Sequence, residues 1–100
     1  MRTGTDLPAL GSETLTVSTT AVGLTRSQYD KVPPAVRAEV QVLNAPVRWW
    51  ADGSTPTSSV GKLAAPFAVI PLIGPELPQF RAIRQGGTDG VLQVQYQGAG

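Results

Sequence analysis

The sequence predicts an all-β fold, a small antiparallel β-sandwich or barrel of about six to eight short strands behind an extended N-terminal arm. Three observations point there. Short runs of alternating apolar and polar residues recur at a spacing of roughly ten residues. Gly (11) and Pro (9) make up one-fifth of the 100 residues and punctuate those runs. Val, Leu, Ile and Phe supply a quarter of the chain, enough for one core, while only 15% of it is charged.

Taken in order, residues 1–12 hold three Gly or Pro breakers and two isolated leucines, Leu7 and Leu10, and read as an extended arm. The sandwich domain is expected over 13–97 and a flexible tail over 98–100. Glu13–Ser18 alternates, with Leu15 and Val17 on one face against Thr14, Thr16 and Ser18. Ala21–Leu24 extends that strand past an irregularity at Gly23. Thr25–Asp30 suits a single helical turn, which Pro33-Pro34 cannot continue. Val36–Leu43 fits a helix at three apolar positions and strict alternation at four, and its valines favour a strand. Asn44-Ala45-Pro46 is a turn or kink, and Val47–Ala51 a further strand.

Asp52-Gly53 supplies positive-φ turn chemistry, and Ser54–Ser59 is a polar loop stiffened by Pro56. Phe67–Ile73 reads as an apolar strand that Pro71 confines to an edge, a bulge or two short pieces. Phe80–Arg84 is a short strand, and Gln85–Gly90 a tight glycine-rich connection. Val91–Gln97 closes the fold, with Leu92, Val94 and Tyr96 facing inward.

The composition excludes whole classes of chemistry. With no Cys and no His there is no disulfide, thiolate zinc site, Cys–His nucleophile or imidazole acid–base pair. A net charge of +1 argues against nucleic acid and anionic membrane as partners. The most apolar window, Leu63–Gly74, is broken by Pro66 and Pro71 and falls short of the roughly 20 residues a membrane span needs. Residues 1–6 do not read as a signal peptide, since no apolar run follows Arg2.

Ser59-Val60-Gly61-Lys62 matches S-x-x-K, but it spans a glycine in a β-rich stretch and lacks the helix that chemistry requires. Gly61-Lys62 is no phosphate loop, since Pro56 stands where its first glycine belongs. Asp52 and Asp89 each precede a turn glycine and shape turns. No metal, cofactor or catalytic residue is expected, and the protein is not read as an enzyme.

Three features remain as candidates for contact. Trp49 and Trp50, being adjacent, point to opposite faces of one strand. One belongs to the core; the other is covered by a loop or exposed at a contact, where Arg48 and Trp50 share a face. Another is Phe67–Ile73, whose apolar content exceeds what a sandwich already filled by Leu15, Val17, Val36, Val40, Val42, Leu92, Val94 and Tyr96 should need. Leu7, Leu10, Phe67, Val69, Ile70, Leu72 and Ile73 are therefore the expected interface with other chains. Each large apolar side chain fully covered is worth about 1.5–3 kcal/mol.

The order of short motifs carries a resemblance. An alternating valine strand is followed by Asn44-Ala45-Pro46-Val47-Arg48-Trp49, Asp52-Gly53-Ser54-Thr55-Pro56-Thr57 and Val60-Gly61. Then come Phe80-Arg81-Ala82-Ile83-Arg84, a glycine-rich turn, and Leu92-Gln93-Val94-Gln95-Tyr96. With Ala21–Thr25 and Tyr29 upstream, this resembles small β-sandwich virion proteins of tailed bacteriophages, encoded near the capsid and tail genes. The likeness covers about three-quarters of the chain and departs from the group's polar pattern at Leu63–Ile73.

The resemblance implies a non-enzymatic virion protein assembled in the host cytoplasm. Its leading form is a head decoration or cement protein that bridges major capsid subunits. It also implies homo-oligomers, with a trimer expected by analogy. Two alternatives stand beside it: a neck, tail or fibre-associated module, and a carbohydrate-binding module with an exposed tryptophan beside Arg48 as its platform.

Overall fold

The computed structural model describes residues 9–30 and 34–98, with side chains from Gly11 onward. Seven strands form two antiparallel sheets. In chain order they are β1 (Ala9–Val17), β2 (Arg37–Leu43), β3 (Val47–Trp50), β4 (Lys62–Ala64), β5 (Val69–Ile73), β6 (Arg81–Arg84) and β7 (Gly90–Gln97). A one-turn helix, α1 (Arg26–Tyr29), follows β1, and a 3₁₀ helix, Gly74–Gln79, follows β5. The four-stranded sheet runs β1-β7-β2-β5 and the three-stranded sheet β4-β3-β6. This is the small all-β sandwich expected from the sequence.

Two-residue periodicity decides what is buried. In β2, Ala38, Val40 and Val42 face inward while Glu39 and Gln41 are exposed. In β7, Leu92, Val94 and Tyr96 do the same between exposed Gln93 and Gln95. Ile70 and Leu72 of β5 complete the inner layer of the larger sheet. Val47, Ala64 and Ala82 of the smaller sheet meet them, together with Phe80 and Leu77. The rings of Trp49 and Phe80 lie 6.0 Å apart, which makes Trp49 the inward member of the tryptophan pair.

Backbone geometry explains how the chain changes sheets. Between β2 and β3, Asn44 adopts φ of 75°, a conformation asparagine tolerates. Its side-chain amide donates to the Asp89 carbonyl at 2.9 Å, tying this corner to the turn before β7. At Gly90 a Cβ would sit 2.7 Å from Val47 Cγ1, so glycine is what lets the sheets approach there.

One side of the sandwich is laced shut. Beyond β1 the chain crosses to the smaller sheet, where Arg84 N–H donates to Ser18 O at 3.1 Å. Val22 and Ala82 then exchange a pair of 2.8 Å bonds. Gly23, the expected irregularity, passes so near Phe80 O that a Cβ would lie 2.9 Å from it. The opposite side is formed by β5 and β4, the outer strands of their two sheets.

Several details differ from the sequence reading. Val36, expected in the inner layer, is 40% exposed because it precedes β2, and Ala21–Leu24 makes a single bridge to Ala82 in place of extending β1. β1 begins at Ala9, so residues 9–12 belong to a strand and not to an arm. β4 and the 3₁₀ helix were not anticipated. Gly98, expected in the tail, is buried. Residues 1–8, 31–33 and 99–100, including Leu7 and Pro33, lie outside the described residues. No helix among the described residues is long and apolar enough to cross a membrane.

Candidate contact surface

β5 holds most of the residues expected at an interface, and its alternation sorts them. Ile70 (4% exposed) and Leu72 (1%) point into the core, which removes both from any surface. The expectation that the whole segment serves other chains is corrected there: pairing with β2 turns every second side chain inward. Val69 (52%), Pro71 and Ile73 (61%) face outward. Leu10 lies on β1, but its side chain is outside the described set.

Phe67, at the turn entering β5, is 73% exposed and has a φ of 71°. A bulky residue rarely adopts that conformation, and such strain costs of order 1–3 kcal/mol. Main-chain bonds fix the turn in place. Phe67 N–H donates to Val42 O at 2.5 Å, Val42 N–H to Ala68 O at 2.9 Å, and Ala68 N–H to Ala65 O at 3.0 Å. Leu63, on the outer face of β4, is also largely exposed. Exposed apolar side chains thus recur along the chain from Leu63 to Ile73, with Leu63 on the outer face of the smaller sheet and Val69 and Ile73 on that of the larger.

The backbone of β5 is a poor template for a further strand. Since Ala68 accepts from β2, the N–H groups at 69, 71 and 73 point away from it. Pro71 has no N–H, and Ile73 donates its own to Glu76 Oε1 at 2.9 Å. Of the three, only Val69 keeps an N–H to offer. The edge presents apolar side chains and keeps one of its three outward N–H donors, which weakens it as a template for a further strand.

Arg48 and Trp50 fare differently from expectation. Arg48 donates to the carbonyls of Ser58 (3.2 Å) and Gly61 (2.9 Å), so its guanidinium holds the loop between β3 and β4. Among the described residues no carboxylate forms an ion pair with it. Trp50 is half-buried and pairs in register with Arg81 on the outer face of the smaller sheet. Lys62 Nζ lies 5.1 Å from the ring centre of the inward Trp49.

The acidic residues act as structural ties. Asp52 accepts from Ser54 N–H at 3.0 Å, and the Ser54 backbone and hydroxyl hold its carboxyl below the usual range. Asp89 is lowered by the Ser18 hydroxyl and then by Arg84, whose guanidinium stands 2.7 Å away. Among the described residues no three His, Cys, Asp or Glu side chains converge.

Sequence reasoning missed one polar node. Glu13 accepts from the Tyr96 hydroxyl, from Thr25 N–H at 3.1 Å and from the Thr25 hydroxyl at 2.5 Å. Burial, reinforced by the Glu13 carboxylate, pushes the Tyr96 phenol far above its ordinary value. The Tyr29 ring lies 6.4 Å from that of Tyr96, so the node docks α1 against β1 and β7. The one available signal was that Glu13 shares the parity of Leu15 and Val17.

Two further features of the described surface are shallow concavities. One of about 310 Å³ lies on the outer face of the larger sheet, among Ser12, Glu39, Gln41, Val69, Gln93 and Gln95. The other, about 520 Å³, opens between the Pro56–Ser58 loop and Gly86-Gly87, beside Ile83 and Arg84. Neither gathers a nucleophile with a base. Comparison with protein-family models, curated proteins and solved structures finds no match to this chain.

Proposed function

We propose that this protein is a non-enzymatic structural component of a bacteriophage virion, a decoration or cement protein that binds the outside of the head and bridges capsid subunits. The observation that carries the reading is the run of exposed apolar residues Leu63, Phe67, Val69 and Ile73, which its own sandwich leaves uncovered. Large apolar side chains exposed along one stretch of chain are what a docking segment offers a partner. The resemblance of the motif order to phage virion proteins is what suggests the partner. An edge short of donors supports docking by side-chain burial. Neighbouring virion proteins and sister copies are the partners; no turnover is involved.

The test uses particles lacking the protein. Added protein is expected to co-sediment with them at a fixed ratio to the shell subunit and to raise their resistance to heat and osmotic shock. A Leu63→Asp, Phe67→Asp double variant is expected to lose both effects. Failure to bind, or binding without protection, rejects the cement role. Labelling of intact particles in electron micrographs separates a head position from a neck, tail or fibre position.

A further inference from the structure

We propose that the outward row of β5, with the charged row beside it on β2, forms a two-fold contact with a second copy of this chain; this rests on the structural role above and names one partner for the same edge. In register, Ile73 lies beside Arg37 and then Gln97, while Pro71 lies beside Glu39 and then Gln95. One cross-strand row therefore carries a cation and the adjacent row an anion, both flanked by apolar and amide groups. Among the described residues neither Arg37 nor Glu39 makes an ion pair, and Arg37 Nε is buried without an acceptor.

These rows are self-complementary. Two larger sheets packed face to face and antiparallel, with the two-fold axis running across the strands between the rows, set each row over the other row of the partner. Arg37 then meets the partner's Glu39, Ile73 meets the partner's Pro71, and Gln97 meets the partner's Gln95. Symmetry makes every one of these contacts occur twice. An axis placed on the Glu39 row would instead oppose Glu39 to itself, a like-charge contact that disfavours that register. Edge-to-edge growth of the sheet is disfavoured by Pro71 and by the Ile73–Glu76 bond. Leu63, on the other sheet, stays outside the contact and remains free for the shell.

Sedimentation equilibrium of the full chain over a concentration series tests the pairing. A monomer–dimer equilibrium is expected. Arg37→Glu or Glu39→Arg alone should raise the dimer dissociation constant by about tenfold or more. The double variant, which restores opposite charges in reverse, should return to the parent value. A monomer at every concentration, a trimer, or a double variant as weak as the singles overturns the two-fold contact. Particle binding is read separately: a dimer that ignores particles supports the pairing and rejects the proposed function, and a monomer that binds them does the reverse.

Discussion

At Gly90 a single hydrogen in place of a methyl sets the distance between the sheets. Gly90→Ala places its Cβ against Val47 Cγ1 and the Ala45 carbonyl. Overpacking of this kind costs about 1–3 kcal/mol, readable as a lower urea midpoint with an unchanged slope. The Tyr96 hydroxyl is a second such point. Tyr96→Phe removes a hydrogen bond to the Glu13 carboxylate, worth about 1.5–3 kcal/mol. Because folding raises the Tyr96 pKa, its contribution is fully present below the unfolded value of about 10 and fades as pH climbs beyond it. Circular dichroism against pH should therefore show alkaline unfolding in the parent with a steeper dependence than in Tyr96→Phe. Identical slopes would remove Tyr96 from the explanation.

At the level of one strand, β5 separates two kinds of apolar residue that look alike in the sequence. Leu72→Ala should cost about 2–5 kcal/mol, while Val69→Ala should stay within about 0.5 kcal/mol in the same denaturation experiment. Pro71→Thr returns an N–H to the free edge, and light scattering should then detect aggregation at lower protein concentration than in the parent. Much of this element was legible beforehand: the run of apolar residues marked a strand, and Pro71 narrowed it to an edge, a bulge or two short pieces, of which the fold takes the edge. Which side chains face outward was not, because alternation is invisible where both faces are apolar. β4 escaped notice for another reason, since Lys62–Ala64 is too short to display a period and is a strand only through pairing with β3. Val36–Leu43 shows the favourable case, where polar residues on alternate positions reveal the exposed face. The Glu13 node was hidden by distance along the chain, as Tyr96 reaches it across 83 positions.

For the molecule as a whole, acid stability gathers the contributions of its turn carboxylates. Asp52 and Asp89 are both held below their ordinary values, so their stabilisation is present above about pH 4 and is lost as pH falls through the lowered values. Asp89→Asn should flatten the acid limb of a thermal-melting series; an unaltered limb would show that its ties to Ser18 and Arg84 do not govern acid unfolding. The same corner of the structure bears on motion. Ser18–Val22 stitches the larger sheet to β6, whereas β4 and β5 are joined at the other margin mainly by the Ala65–Ala68 turn. A body fastened along one margin is expected to open first along the other. Amide hydrogens near Val22 and Ala82 should exchange with solvent slowly and those of β4 quickly. A docked neighbour at that other margin would act as a clasp, slowing exchange in residues it never touches.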